Sequence, residues 1–215
     1  MNTKKLIVSA LLGFIVNVAS AGNTASIGYI SDYFYRGAQK AEESIQASVA
    51  LEKSLGGFAG SFSASTNQAV DSAVDSYQID AGLGKSFMDG LLDVYVGLRH
   101  FEDVSGEAAS EIALAFSYDS VLNPSVSVFR DTDDDLYTLE VGVSHGFDLE
   151  FADLEVQASA GNTELTSSSD RDYYVLGTSL SRAFGDSELG LSVDYVDADD
   201  SDEEFVFGSS LTFKF

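Results

Sequence analysis

The C-terminal stretch from Phe205 to Phe215 reads F-V-F-G-S-S-L-T-F-K-F. Its large apolar side chains alternate with small or polar ones, which is the two-residue period of a β-strand with one apolar face. In water, such an aromatic face at the end of a chain would promote aggregation unless it is covered or solvated by lipid. The stretch therefore predicts the closing strand of a membrane β-barrel.

The same alternation recurs along the chain and predicts an all-β, up-and-down antiparallel transmembrane barrel of twelve strands. The seventh segment is short and follows the single proline, so the pattern is compatible with about ten to fourteen strands. The predicted strand segments are Ile27–Tyr35, Ile45–Leu51, Phe58–Ala64, Tyr77–Leu83, Leu92–Leu98, Ile112–Tyr118, Ser125–Arg130, Tyr137–Val143, Leu154–Ala160, Tyr174–Leu180, Leu189–Tyr195 and Phe205–Phe215.

Two kinds of connection alternate between these segments, and both chain ends fall on the side of the shorter kind. This is the arrangement of an outer-membrane barrel with an even number of strands. The predicted short turns are Ser54–Gly57, Ser86–Leu91, Asp119–Pro124, Phe147–Asp153 and Ala183–Ser187, and the predicted longer loops are Gly37–Glu43, Asn67–Asp75, Glu102–Ala109, Asp131–Asp135, Thr163–Asp172 and Asp197–Glu203.

Alternation alone does not say which face points inward, because a soluble β-sandwich or lipocalin-like barrel would bury the apolar face instead. The polar face is rich in Gly, Ala and Ser and poor in Lys, unlike a soluble surface of mixed charge. Aromatic residues also gather at strand ends, as in the two girdles of a membrane barrel. These are Tyr33, Tyr35, Tyr77, Tyr137, Tyr174 and Tyr195 on the loop side, and Phe58, Tyr118 and Phe213 on the turn side.

Residues 1–21 have the pattern of a cleaved secretory signal, with Lys4 and Lys5, an apolar core at Leu6–Val16, and the small residues Ala19–Ala21. We therefore expect a signal peptide at 1–21 and one barrel domain at 22–215. Loss of the two lysines changes the formal charge from -24 to -26, because 1–21 contains no acidic residue. Nucleic acid is not expected as a partner, since phosphate binding needs basic protein. The chain has no cysteine, so no disulfide contributes to its stability.

The residues that could carry chemistry are few. His100 and His145 both have the parity of the lipid face, lie at opposite strand ends, and lack a G-x-S-x-G motif nearby. The acidic runs Asp131–Asp135 and Asp197–Glu204 lack the D-x-D-x-D-G pattern of a calcium loop. We therefore expect no enzyme, no cofactor and no metal site.

Charged residues with the inward parity are the candidates for lining a pore. Asp32, Arg36 and Arg99 are predicted to set a constriction on the loop side. An acidic excess on the inner wall would concentrate cations, whereas internal salt bridges would plug the barrel. The pore-lining candidates are Asp32, Arg36, Asp80, Asp93, Arg99, Glu111, Glu140, Glu155, Glu188 and Asp194.

Ser31–Gly37, reading S-D-Y-F-Y-R-G, resembles the S-D-Y-x-F-R-G start of the TorF-type family of porin-like proteins, whose function is otherwise unknown. The likeness extends to Gly57–Ser61 and, more loosely, to Tyr77–Phe101. It departs from the family at Tyr35 and at Ala38–Lys40. The resemblance implies passive outer-membrane permeation, without catalytic residues and without a defined substrate.

The sequence thus predicts a porin-like channel in the cell outer membrane for passive diffusion of small solutes or ions, with a preference for cations. A closed barrel with a structural or surface-interaction role is the first alternative, and a soluble exported β-sandwich that binds a ligand is the second. The expected partners are outer-membrane lipid and lipopolysaccharide, small solutes or cations, and the barrel-assembly machinery, which would recognise the C-terminal strand with Phe213 and Phe215.

Overall fold

The computed structural model describes residues 22–70, 75–104, 108–199 and 201–215. These residues form one closed antiparallel barrel of twelve strands, as predicted. The predicted signal peptide falls on 1–21, which lie outside the described residues and leave that prediction untested. Apart from strands, one short 3-10 turn at Met88–Gly90 is present in the described ranges.

Each strand pairs with its sequence neighbours, and the last strand closes the barrel against the first. The strands are β1 (Thr24–Tyr35), β2 (Ala38–Leu55), β3 (Phe58–Ala69), β4 (Ser76–Phe87), β5 (Leu92–Asp103), β6 (Ala108–Tyr118), β7 (Ser125–Asp131), β8 (Tyr137–Leu149), β9 (Ala152–Thr166), β10 (Ser169–Phe184), β11 (Ser187–Ala198) and β12 (Ser201–Lys214).

The barrel has two rims, and the first strand begins at the same rim where the last strand ends. Thr24 at the start of β1 pairs with Lys214 at the end of β12, so both ends lie at one rim, which we call the turn side. The opposite rim, which contains the β1–β2 connection, is the loop side. The seventh strand is indeed the shortest, at 7 residues.

The expected contrast between short turns and long loops is wrong at several connections. Gly37–Glu43 was expected to be a loop, but β2 already begins at Ala38. Thr163–Asp172 is largely strand, because Thr163 pairs with Arg171 and the ladder continues to Thr166. The strands therefore run further toward the loop side than apolar alternation alone indicated, since strand pairing continues where the residues on both faces are polar.

The apolar face of the wall points outward. Ile27 is 51% exposed, Leu176 57% and Phe205 61%. The side chains of the other parity point into the barrel, where Ser44, Thr138 and Asp194 are buried. A lipid-facing apolar surface around a polar interior is the arrangement of a membrane barrel. The sheet does not form the β-sandwich of the second alternative.

No helix in the described ranges is long and apolar enough to cross a membrane.

Candidate functional site

The tip of the β1–β2 hairpin leaves the barrel wall on the loop side. Pairing of β1 with β12 ends at Ile30 and Gly208, and pairing of β2 with β3 begins only at Ser44. We call residues 32–42 the hairpin tip. The tip contains a register shift that leaves Lys40 as an extra residue on β2. Such a bulge bends a strand and increases its twist, which re-aims the hairpin.

One side of the hairpin tip packs against an apolar patch on the inner face of β10, β11 and β12. Phe34 is 2% exposed and belongs to a buried cluster with Ile30. A Cβ added at Gly37 would lie 2.8 Å from the Cβ of Tyr173, so the turn itself lies close against the inner wall. The wall residues of this cluster are Tyr173, Val175, Val196, Ala198 and Val206.

The other side of the tip contacts the nearly opposite part of the wall. Arg36 donates two hydrogen bonds to the Glu111 carboxylate on β6, one of them 2.6 Å from Nη2 to Oε2. Tyr35 stacks on Phe101 of β5, with ring centroids 5.1 Å apart. The hairpin tip therefore spans the lumen from β10–β12 to β5–β6 and occupies its loop-side part.

The backbone of the turn adopts a conformation that is unfavourable for a residue with a side chain, such as Arg36. Arg36 and Gly37 have φ values of 51° and 74°, as in a two-residue type I′ turn. Residues other than glycine are disfavoured in this left-handed region. They adopt it when contacts with the surrounding structure hold them there. The paired, buried guanidinium of Arg36 is such a contact.

A second buried ion pair lies beside the first. Arg99 Nε donates to Asp80 Oδ1 over 3.0 Å, between β5 and β4. The Phe129 ring of β7 lies near both guanidiniums, 4.4 Å from Arg36 Cζ and 5.1 Å from Arg99 Cζ. Arg36 and Arg99 therefore meet in one cluster on the loop side, where the sequence analysis placed a constriction.

One residue of the predicted constriction and two of the predicted aromatic girdle are placed differently. Asp32 does not join the cluster, and its carboxylate accepts a hydrogen bond of 3.0 Å from Gln39 Nε2 within the tip. Tyr33 and Tyr35 were assigned to the lipid-facing girdle, and this is wrong. Tyr33 packs against the cluster of Phe34, and Tyr35 faces Phe101. Because the tip lies inside the lumen, both of its faces contact protein and neither faces lipid.

The inner wall from β8 to β11 carries carboxylates without basic partners in the described ranges. Tyr173 donates a hydrogen bond to Glu140, and Gln157 Nε2 donates to Asp194 Oδ1 over 3.3 Å. The second oxygen of Asp194 and Oε1 of Glu155 are buried without a hydrogen-bond partner. This wall therefore carries carboxyl groups that no guanidinium or ammonium group pairs with among the described residues, unlike the Arg36–Arg99 cluster.

The remaining two candidates lie toward the turn side. Asp93 on β5 accepts a hydrogen bond of 2.5 Å from Ser86 Oγ. Glu188 on β11 pairs with Lys214 on β12, with 2.9 Å between Nζ and Oε2. Both carboxylates have the inward parity, and Glu188 is buried.

Glycines on the inner face make room for large side chains that lie flat against the wall. A Cβ at Gly82 or Gly97 would come within 2.4 Å or less of the Tyr95 hydroxyl oxygen. A Cβ at Gly161 would lie 2.1 Å from Cζ of Tyr173. These glycines therefore determine where the inward tyrosines can lie.

The two histidines lie on the outer face near opposite rims. His100 Nδ1 is 3.0 Å from Ser110 Oγ, and its Nε2 is 3.6 Å from Glu102. His100 and Ser110 face each other in a regular ladder. The backbone amides of that ladder are used in strand pairing, so this pair lacks the oxyanion-stabilising donors of an acyl-transfer site. His145 lies edge-on to Phe147, with centroids 4.5 Å apart.

Within the described ranges, no three His, Cys, Asp or Glu residues are arranged to hold a metal ion. Asp131 of the acidic loop instead accepts hydrogen bonds from the backbone amides of Asp133 and Asp134, at 2.8 and 3.1 Å. That carboxylate therefore organises its own turn.

The last two phenylalanines occupy the turn-side rim. Phe213 is 46% exposed on the outer face, and Phe215 is 69% exposed. The Phe215 amide donates to the Asn23 carbonyl over 3.0 Å, which ties the final residue to the beginning of the barrel.

Several interior residues were not identified from the sequence. Phe34, Phe129 and Tyr173 have the inward parity but are apolar or aromatic, and only charged residues of that parity were predicted to line a pore. A signal was available, since these residues interrupt an inward face that is otherwise small and polar. Gln157 was also passed over, because its contact with Asp194 depends on strand register.

Comparison with known proteins gives a family and a fold. A family model described as "Bacterial protein of unknown function (Gcw_chp)" matches residues 18–214. The narrower TorF-type label stays a prediction. Among curated protein sequences, none matches significantly.

Solved outer-membrane barrels share the fold at very low sequence identity. The KdgM porin is 10% identical with a TM-score of 0.63, covering 89% of this chain and 99% of that one. The COG4313 outer membrane channel from Pseudomonas putida F1 is 9% identical with a TM-score of 0.62, covering 98% and 100%. The Acinetobacter baumannii outer membrane protein Omp33 is 12% identical with a TM-score of 0.52, covering 90% and 98%.

Proposed function

We propose that this chain, which belongs to the family described as "Bacterial protein of unknown function (Gcw_chp)", is a narrow porin-like channel of the bacterial outer membrane. It passes small solutes or ions by diffusion and prefers cations. The hairpin tip controls the loop-side entrance. The fold shared with a porin and an outer-membrane channel supports this proposal but does not carry it.

The observation that carries the proposal is the hairpin tip inside the lumen. The tip joins two parts of the wall through Phe34 on one side and Arg36 on the other. Interiors of small barrels can be filled by wall side chains alone. Here a segment that could have stayed in the wall occupies the entrance instead, which is a means of regulating passage through a barrel of this size.

The charge distribution supports a preference for cations. Arg36 and Arg99 are each neutralised by a carboxylate, whereas Glu140, Glu155 and Asp194 have no basic partner in the described ranges. A solute passing the tip would therefore meet a wall of net negative charge. Such a wall attracts cations and repels anions, most strongly at low ionic strength.

The closed structural barrel remains the second candidate, because the same hairpin tip favours it. Phe34 and Arg36 are buried, and their contacts fasten the tip across the loop-side part of the lumen. The two candidates differ in whether solutes or ions can pass the tip.

Single-channel recording distinguishes them. Residues 22–215 would be refolded, checked for heat-modifiable migration, and inserted into a planar bilayer under a salt gradient. We expect discrete current steps and a reversal potential of the sign that cation selectivity gives. If folded protein inserts but passes no current, the channel proposal is overturned and the closed barrel is supported. Currents that prefer anions would overturn the selectivity proposal alone.

A further inference from the structure

Three basic side chains are unusual in this acidic protein because they have no carboxylate partner among the described residues. Nine Lys and Arg residues follow residue 21. Arg36, Arg99, Arg130 and Lys214 form ion pairs, and Lys40 and Arg171 make interactions of their own. The remaining three are Lys53, Lys85 and Arg182.

These three residues occupy equivalent positions. Each lies on the outer face of a strand that runs toward the turn side, two residues before the last residue of that strand. The final residues of the three strands are Leu55, Phe87 and Phe184, and all three are exposed. The same motif of a basic residue followed after one position by an apolar one therefore recurs on β2, β4 and β10.

Aromatic rings contact two of the three basic groups, those of Lys85 and Arg182. Lys85 Nζ lies 4.9 Å from the centroid of Phe58 and 5.2 Å from that of Phe87. Arg182 Cζ lies 5.0 Å from the centroid of Phe184. Ring faces attract cations but leave their hydrogen-bond donors unsatisfied. The ammonium and guanidinium groups can therefore still donate to an external acceptor.

The loop-side rim of the outer face has the opposite character. There Tyr77 donates to the Glu102 carboxylate, and Arg130 is neutralised by Asp135. Unneutralised positive charge on the outer face is thus confined to the turn side in the described ranges. Because both barrel ends lie at that rim, it faces the periplasm in a barrel of the usual orientation.

We propose that Lys53, Lys85 and Arg182 form a binding belt for the headgroups of anionic phospholipids in the periplasmic leaflet. Phosphate oxygens of the lipid complete the hydrogen bonding of the basic groups, while the neighbouring aromatic and aliphatic side chains contact the upper acyl chains. Lys and Arg near a membrane surface attract anionic lipid in this way. The proposal requires a membrane-embedded barrel but no conduction, so it holds for either candidate function.

Spin-labelled lipids test the belt directly. The refolded protein would be placed in phosphatidylcholine bilayers, and the motionally restricted fraction of labelled phosphatidylglycerol compared with that of labelled phosphatidylcholine. For the wild type we expect a preference for phosphatidylglycerol of roughly twofold to fivefold. In the triple variant Lys53→Gln, Lys85→Gln, Arg182→Gln the ratio should approach one.

Arg130→Gln is the matched control, because it removes an outer-face cation at the opposite rim and should keep the wild-type ratio. Heat-modifiable migration establishes that each variant is folded, and the single variants Lys85→Gln and Arg182→Gln would replace a triple variant that does not fold. Absence of a preference in the wild type, an unchanged ratio in the triple or both single variants, or an equal loss in Arg130→Gln would overturn the proposal.

Discussion

Arg36 at the tip of the first hairpin and Glu111 on β6 form a two-point ion pair across the lumen of the barrel. Arg36 directly follows β1, which is five positions from β6 around the sheet, and both residues are buried. Removal of one partner from a buried pair leaves an uncompensated charge, which costs about 3 to 5 kcal/mol. This pair is therefore the contact whose loss should release the hairpin tip.

Arg36→Ala should increase the conductance and the current noise of the channel. A loss of about 3 kcal/mol changes the ratio of closed to open states by more than about a hundredfold. Single-channel recording measures this change. Arg130→Ala is the control, because its exposed pair with Asp135 contributes only about 0 to 1 kcal/mol. Unchanged currents in Arg36→Ala would show that the ion pair does not hold the entrance closed.

A disulfide can lock the tip, since the chain has no cysteine of its own. A Cβ at Gly37 would lie 3.1 Å from the Cβ of Ala198, close to the 3.5 to 4.5 Å of a disulfide. Cysteine at Gly37 is strained by its φ of 74° at a cost of about 1 to 2 kcal/mol, which the crosslink can offset. Its Cβ would also lie 2.8 Å from the Cβ of Tyr173, so the turn must shift slightly away from the wall, which lengthens the distance to Ala198 toward the disulfide range. We expect Gly37→Cys with Ala198→Cys to conduct less when oxidised and to recover after reduction.

The two single-cysteine variants should not respond to oxidation. If mass spectrometry establishes the crosslink and the currents are equal in both redox states, the tip is a fixed constriction and does not move during conduction.

The wall from β8 to β11 should set the ion preference. Glu140→Gln, Glu155→Gln and Asp194→Asn together remove three negative charges that lack basic partners in the described part of the chain. We expect the cation-to-anion permeability ratio to fall toward one, with the largest change at low salt because screening is weakest there. Reversal potentials under a KCl gradient measure the ratio.

A control with equal charge change replaces Asp133, Asp134 and Glu203 of the exposed loop-side segments by their amides. Selectivity should stay close to that of the wild type. An equal loss in both triple variants would instead assign the preference to the overall charge of the protein.

Gly161→Ala should destabilise the barrel by about 1 to 3 kcal/mol, because the new methyl group would overlap the ring of Tyr173. Gly146→Ala is the matched control, since a Cβ at Gly146 meets nothing within 4 Å. Urea unfolding in lipid vesicles measures the free energy of unfolding. If the overlap is the cause, Gly161→Ala combined with Tyr173→Ala will cost less than the sum of the two single changes.

Phe215→Ala should reduce the amount of folded protein in the outer membrane of cells but leave refolding into detergent unchanged, because we expect the final aromatic to act as an assembly signal. Phe205→Ala removes an exposed ring of the same parity from β12, the strand that Phe215 follows, and should assemble normally. Cell fractionation with heat-modifiable migration measures the outcome. Equal assembly of both variants would contradict a special role for the terminal residue.

Most of the wall was predictable because each strand has a lipid face and a period of two. The short seventh strand was located, and the residues from Ile112 to Tyr118 form β6 within a few residues of the predicted bounds. Alternation reports the two faces of a strand, but it does not report whether the strand stays in the wall. The tip containing Tyr33 and Tyr35 was therefore assigned to the lipid face.

The site was predictable only in part, for a related reason. Arg36 and Arg99 were predicted to meet, together with Asp32, because inward charges are conspicuous in a small, polar lumen, but Asp32 bonds to Gln39 within the tip instead. Their partners Glu111 and Asp80 were on the same list, but pairing between distant strands depends on register and on the path of the tip. The position of Phe129 between the two guanidiniums depends on both the strand register and the path of the tip, and no local sequence pattern encodes it.

Departure of the first hairpin from the wall has a consequence for the last strand. Only seven residue pairs join β12 to β1, and they end at Gly208. The backbone from Ser201 to Phe207 is therefore an edge within an otherwise closed sheet, and the Phe207 amide is capped by the Ser31 hydroxyl at 2.9 Å. Unprotected edges recruit strands from other molecules, and charged side chains discourage this. Asp202, Glu203 and Glu204 lie along this edge. Repulsion between these carboxylates and the same residues of a second copy protects the barrel from pairing with that copy.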